Sequence, residues 1–182
     1  VVAGEARLTY AELDERSNRV ADHLIRQGFA PGEHLAVLAM NRIEWIETML
    51  GAFKARLVPL NVNYRYTSDE LAHVLLDGNA VALIVERAYL PLVETVRDRV
   101  PGLRHVIVID GEDDAVGTPY DRALERAAGA RIGIERSGDD RYVLYTGGTT
   151  GAPKGVVWRA EDLFFAALAG GNPGGAPVTH PE

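Results

Sequence analysis

The residues best equipped for chemistry lie together in one run: Tyr142-Val143-Leu144-Tyr145-Thr146-Gly147-Gly148-Thr149-Thr150-Gly151-Ala152-Pro153-Lys154-Gly155-Val156. Positions 146–155 hold four glycines, three threonines and a lysine. Glycine lets backbone N–H groups approach an anion closely and adopt dihedrals other residues avoid. Successive N–H groups can form a concave nest for phosphate oxygens. Threonine hydroxyls add donors, and lysine adds a mobile positive charge. These residue types at this spacing point to a polyphosphate cradle. A plain hairpin turn has no need of three threonines and a lysine.

Two common phosphate loops do not fit. A P-loop needs Gly-x-x-x-x-Gly-Lys-Ser/Thr. Here Lys154 follows Pro153 and precedes Gly155, with no hydroxyl after the lysine to hold Mg2+. A dinucleotide fold needs Gly-x-Gly-x-x-Gly early in the chain and an acidic residue about 20 positions later. That spacing is missing.

The elements that must position this loop are legible upstream of it. Thr9-Tyr10-Ala11-Glu12 is a capping box, and Leu13, Val20, Ala21, Leu24 and Ile25 then recur on one helical face until Gly28. Leu35 to Met40 reads as a buried strand, and Ile43 to Ala55 as a second helix. Leu57 to Val62 is strand-like, with Pro59 arguing for an edge or strand-end position. Thr67-Ser68-Asp69-Glu70 is a second capping box, opening a helix that runs to Gly78. Strands follow at Val81 to Val85 and His105 to Ile109, with a helix from Tyr89 to Val100 between them. Gly111 to Gly117 reads as an acidic surface loop, Tyr120 to Ala128 as a short helix, Tyr142 to Tyr145 as a strand and Arg159 to Leu168 as a helix. Apolar strands alternating with amphipathic helices predict an α/β fold, with a mostly parallel β-sheet flanked by helices. Residues 111–118 are a candidate seam between subdomains.

Composition sets the outer limits. The chain has 182 residues, 47% of them apolar, enough to bury a core. Its net charge of −7, with no Lys/Arg cluster, argues against a nucleic-acid surface. Zero cysteines exclude disulfides, thiolate metal sites and cysteine nucleophiles, and fit a cytoplasmic protein. No apolar run approaches the ~18 residues of a membrane span. Of the 19 basic residues, just Lys54 and Lys154 are lysines. A start at Val1 and a Gly/Pro-rich end from Gly170 to Glu182 read as a piece cut at both ends.

The other chemistry-bearing residues have plainer readings. His23, His34, His73, His105 and His180 show no metal-ligand spacing and read as packing or solvated positions. Asp113-Asp114 and Asp139-Asp140 read as loop charges. Tyr64 and Tyr66 flank Arg65 in a surface turn or a contact surface, and Trp45 reads as core. Trp158, just past the loop, reads as ordinary packing. Lys54, at a helix end, reads as structural or simply solvated.

Thr146-Gly-Gly-Thr-Thr-Gly-Ala-Pro-Lys-Gly155 resembles the phosphate-binding signature of the adenylate-forming (AMP-binding) enzymes, whose common form is Thr-Ser-Gly-Thr-Thr-Gly-x-Pro-Lys-Gly. Leu8-Thr9-Tyr10-Ala11-Glu12-Leu13 and Gly51-Ala52-Phe53-Lys54-Ala55-Arg56-Leu57-Val58-Pro59-Leu60-Asn61 are similar to two further motifs of that superfamily. The stretch from Val157-Trp158-Arg159 through Asn172-Pro173-Gly174-Gly175 is most similar to the bacterial fatty-acyl-CoA ligase branch. Gly147 departs from the pattern, standing where Ser or Thr is usual.

The resemblance implies the N-terminal portion of the large domain of an ATP-dependent acyl-CoA synthetase, an acid-thiol ligase, with the C-terminal lid domain absent. Such an enzyme joins a fatty or steroid side-chain carboxylate to AMP, then transfers the acyl group to coenzyme A. An acceptor such as a carrier protein, or a relic module without activity, are the alternatives. ATP, Mg2+ and coenzyme A are the implied cofactors and co-substrates, with peripheral membrane contact and a homodimer as further expectations. The resemblance assigns ATP binding to Thr146, Gly147, Gly148, Thr149, Thr150, Gly151 and Lys154, and Mg2+ contact to Thr146. Thr149 and Thr150 would donate to phosphate oxygens, and Lys154 would clamp the departing pyrophosphate. The family's adenine, ribose, hinge and adenylation-lysine residues lie further along its sequences, so the 182 residues alone are expected to be inactive.

Overall fold

The computed structural model describes residues 1–113, 115–147, 151–176 and 178. Two short strands, β1 (Val2–Ala3) and β2 (Ala6–Arg7), form an antiparallel hairpin that leads into helix α1 (Tyr10–Arg26). Both anticipated capping boxes are formed. Thr9 Oγ1 accepts from the Glu12 N–H at 3.2 Å, while Glu12 Oε2 accepts from the Thr9 N–H at 2.7 Å. Thr67 and Glu70 repeat the exchange at the start of α3 (Ser68–Asp77). Each box satisfies two N–H groups that a helix start leaves without an internal partner.

Strands β3 (His34–Leu38), β4 (Val58–Asn61), β5 (Ala80–Glu86) and β6 (His105–Ile109) are joined through α2 (Ile43–Lys54), α3, and a segment containing α4 (Leu90–Glu94). Strand β7 (Thr118–Pro119) precedes α5 (Tyr120–Glu125), and β8 (Arg141–Thr146) and β9 (Lys154–Arg159) follow. The main sheet has seven strands in the order β7-β6-β5-β3-β4-β8-β9. Every neighbouring pair is parallel except β8–β9.

Alternation along each strand sends side chains to two apolar layers. Ala36, Leu38, Leu83 and Val85 meet Leu71, Val74 and Leu75 of α3 and Val93 of α4 on one face. Leu35, Ala82 and Ile84 meet Val20, Ala21 and Leu24 of α1, Ala52 of α2, and Tyr120 and Leu124 of α5 on the other. The helices therefore cover both sides of a mostly parallel sheet, as the sequence predicts.

Of the two positions expected of Pro59, it takes the strand end and not the edge, as the second residue of β4, which lies between β3 and β8; three other details depart from expectation. Val58 and Val62 donate to Glu33 O and Val37 O on the β3 side, so the alternating nitrogen of Pro59 faces β8. Pairing with β8 begins at Leu60, one residue later, so the missing N–H interrupts no ladder bond. The anticipated helix from Tyr89 to Val100 is broken, with 3-10 turns at Arg87–Tyr89 and Arg97–Arg99 flanking the five residues of α4. Thr95 Oγ1 donates back to Leu92 O at 2.7 Å, and β-branched Val96 follows, a local pattern that weakens helix continuation. Residues Lys154 to Arg159 form β9, a strand the sequence reading did not anticipate. The helix expected from Arg159 is a short turn, α6 (Ala160–Asp162), continuing into a π-helical turn at Leu163–Ala167.

Lys54 is not merely solvated. Its Nζ lies among four oxygens of α1: Asp14 O at 2.9 Å, Asp14 Oδ1 at 2.6 Å, Ser17 Oγ at 2.7 Å and Asn18 Oδ1 at 2.7 Å. It locks the end of α2 to α1. Nearby, Glu47 is fully buried, with Arg16 Nε at 2.5 Å and the Tyr120 hydroxyl at 2.8 Å. Burial, and then the adjacent carboxylate, push the Tyr120 hydroxyl well above its ordinary pKa. Among the described residues, no helix is long and apolar enough to cross a membrane.

Candidate functional site

The candidate loop joins β8 to β9. Strand β8 runs parallel to β4, so Thr146 leaves the sheet at its carboxyl edge, where open α/β sheets bind ligands. The chain turns back and re-enters at Lys154, which pairs directly with Thr146. Antiparallel pairing thus brings two of the predicted ligand residues side by side at the hairpin mouth. Both are exposed. Among the described residues, Thr146 Oγ1 makes one contact, to Lys154 O at 3.5 Å, too long to hold the hydroxyl strongly. Lys154 forms no ion pair among the described residues.

Gly151 has φ of +119°, a conformation that side chains other than glycine rarely adopt. A Cβ placed on Gly147 would meet nothing within 4 Å, so space does not impose glycine there, and a serine would fit. Gly148, Thr149 and Thr150 lie outside the described residues. Gly155 has a packing reason: a Cβ there would stand 3.1 Å from both Tyr145 Cζ and Val143 Cγ1. The Tyr145 ring crosses β9 at that point.

Two residues that the sequence reading left aside hold the arms of the hairpin. His73 Nε2 lies 2.9 Å from Pro153 O, and the Tyr145 hydroxyl donates to Asp77 Oδ2 at 2.7 Å. Burial, followed by the Asp77 bond, raises the Tyr145 pKa. No local sequence signal marks either contact, because each pairs α3 with residues 68 to 80 positions away.

The remaining candidates fall elsewhere. His23 and His105 face each other, Nε2 to Nε2, at 3.1 Å. Burial and then His105 depress the His23 pKa to about 4, and burial lowers His105. Tyr66 is buried in the core, whereas Tyr64 is at the surface beside Tyr89, with the Arg65 guanidinium over its ring. Trp45 is half-buried and donates to Asn61 Oδ1 at 3.3 Å. Trp158 stands exposed on β9 and does not line the apolar groove formed by Leu50, Phe53, Leu163, Phe164 and Leu168. Asp139 and Asp140 bind Arg159 and Arg56, respectively. Among the described residues, no group of three His, Asp or Glu could hold a metal ion.

The chain is 43% identical, over 90% of its length, to the 3-oxocholest-4-en-26-oate CoA ligase of Rhodococcus rhodochrous. It is 40% identical, over 93% of its length, to a medium/long-chain-fatty-acid and 3-oxocholest-4-en-26-oate CoA ligase of Mycobacterium marinum. It spans about a third of each relative, 30% and 32%. Its fold is similar to that of an anthranilate CoA ligase solved with anthranoyl-AMP, with a TM-score of 0.86 and 26% identity over 93% of this chain and 33% of that one. The hairpin at the carboxyl edge of the sheet and the strands that carry it lie within residues 1–178, which match the AMP-binding enzymes, and the chain belongs to that family.

Proposed function

We propose that the complete protein carrying this chain is an AMP-forming acyl-CoA synthetase acting on a fatty or steroid side-chain carboxylic acid. The observation that carries this reading is the pairing of Thr146 with Lys154 across a glycine-rich hairpin at the sheet's carboxyl edge. The printed activities of the relatives support the substrate class. In the first half-reaction, a carboxylate oxygen bonds to the α-phosphorus of ATP and the bond to the bridging oxygen of pyrophosphate breaks. Coenzyme A's thiol then displaces AMP and loses its proton.

This chain's residues serve the first step. Charge grows on the departing pyrophosphate, and the Lys154 ammonium and the Thr146 hydroxyl meet that charge at the hairpin mouth. Thr149 and Thr150 add donors, and Gly147, Gly148 and Gly151 let backbone N–H groups approach the phosphates. The described donor set suits an Mg2+ carried by phosphate oxygens, with Thr146 supplying one oxygen, rather than a cage of carboxylates. Bound there, Mg2+ would neutralise phosphate charge. Since the chain spans about a third of these relatives, the reading applies to the complete protein. A cytoplasmic location, peripheral membrane contact and a homodimer complete the reading.

ATP–pyrophosphate exchange by the complete protein tests it. Exchange should appear with medium- or long-chain fatty acids or with a steroid side-chain acid, and coenzyme A should release AMP. Exchange without coenzyme A turnover would favour a carrier-protein acceptor. No exchange across a broad acid panel would favour a relic module.

A further inference from the structure

We propose that His73 is a positioning residue of the phosphate loop, fixing through the Pro153 carbonyl the point from which Lys154 reaches its anion; this rests on the loop reading given above. Helix α3 meets both arms of the hairpin with two side chains one turn apart. His73 bonds to Pro153 O at 2.9 Å, and Asp77 accepts from the Tyr145 hydroxyl at 2.7 Å. Spacing of four residues puts both on one helix face. A carbonyl can only accept, so the imidazole carries its proton on Nε2.

Each tether falls one residue before a candidate ligand: Tyr145 precedes Thr146, and Pro153 precedes Lys154. The proline ring fixes its own φ, and the peptide to Lys154 is planar. Holding the Pro153 carbonyl therefore sets the plane of that peptide and, with it, the Lys154 N–H and Cα. Pro153 is buried while Lys154 is exposed, so a rigid seat lies beneath a mobile ammonium. Capturing an anion with a flexible lysine costs less when the backbone under it is already fixed. His73 touches no reacting atom in this scheme. It acts through Pro153 and Lys154.

The experiment is ATP–pyrophosphate exchange by the complete protein, with dodecanoate as the acid, comparing the unsubstituted enzyme with His73→Leu and His73→Gln. Loss of the donor in His73→Leu should raise the KM for ATP and for pyrophosphate about tenfold, as expected for one lost hydrogen bond. The KM for dodecanoate should stay within about twofold. Glutamine can offer an N–H to the same carbonyl and should restore the nucleotide KM to within about threefold. If His73→Leu does not fold, His73→Asn, polar but too short to reach, replaces it with the same expected split. Unchanged ATP and pyrophosphate KM values, a parallel rise in the dodecanoate KM, or failure of glutamine to rescue would each overturn the role of His73. No exchange by the unsubstituted enzyme with any acid would overturn the loop reading and this inference with it. Exchange that is normal and indifferent to position 73 would overturn this inference alone.

Discussion

Strands β3 and β9 belong to one sheet but have opposite surroundings. In β3, Leu35, Ala36, Val37 and Leu38 are fully buried, with helices over both faces and a parallel partner on each side. In β9, all six residues are exposed, and a single antiparallel partner holds the strand. Two pairs of buried polar groups near β3 are matched, Glu47 with Arg16 and Tyr120 and His23 with His105, while the buried Thr48 hydroxyl has no partner among the described residues. The polar groups at the hairpin mouth, Thr146 and Lys154, have almost no partners among the described residues. A protein that binds an anion cannot satisfy its binding groups internally. The contrast separates residues that hold the fold from residues proposed to bind a ligand.

That separation can be broken from either side. Glu47→Ala should have the largest effect, about 3 kcal/mol of lost stability, because it strands the buried Tyr120 hydroxyl and the half-buried Arg16. Urea unfolding would measure it, and nucleotide KM values of the folded fraction should not change. Lys154→Ala is the converse. Pyrophosphate exchange should fall about 10²–10³-fold, as when one transition-state donor is removed, while the unfolding midpoint stays put, as for other exposed sites. A large stability loss in Lys154→Ala would erase the distinction between the two regions.

The histidine pair gives a smaller, pH-dependent effect on the buried side. His23 titrates at about 4 in the folded chain against 6.5 ordinarily, and the His105 pKa is also lowered. Between those values the unfolded chain takes up protons that the folded chain refuses. Stability is therefore complete above pH 6.5 and is lost as pH falls toward 4, by about 2 kcal/mol between pH 7 and pH 5. Urea midpoints at about pH 7 and about pH 5 would show the slope, and His23→Gln should flatten it. Lys54→Met is expected to have the smallest effect, about 1 kcal/mol, since Asp14 is exposed and the buried Ser17 and Asn18 keep other hydrogen bonds, to Leu13 O and Gly129 O. Differential scanning calorimetry would resolve it.

What the sequence disclosed follows the range of the forces involved. The two capping boxes are contacts between residues three apart, and both formed where Thr9 and Thr67 announced them. The strand–helix alternation is local periodicity, and it fixed the mostly parallel sheet. The strand-end place of Pro59 was legible, but the central place of β4 was not, because strand order is not local information. Strand β9 was overlooked because Val156-Val157-Trp158 is short and the glycine-rich loop before it dominates the composition. The loop itself was legible from residue types alone. Its supports were not: His73 and Asp77 reach it from 80 and 68 positions away. Gly155 could be read as making room for an anion, but in the fold it makes room for a tyrosine ring.

The open side of β9 also bears on how the chain behaves in concentrated solution. Its outer row of N–H and C=O groups has no partner among the described residues, and Val156, Val157 and Trp158 are 41%, 59% and 37% exposed. Such a strand is a template for edge-to-edge association with another copy. Lys154, at its start, places a positive charge against any second strand that tries to add, whereas Arg159 at its end is paired with Asp139, Glu161 and Asp162. The lysine proposed to meet a phosphate would thus also oppose self-association, so neutralising it is expected to make the molecule stickier as well as slower.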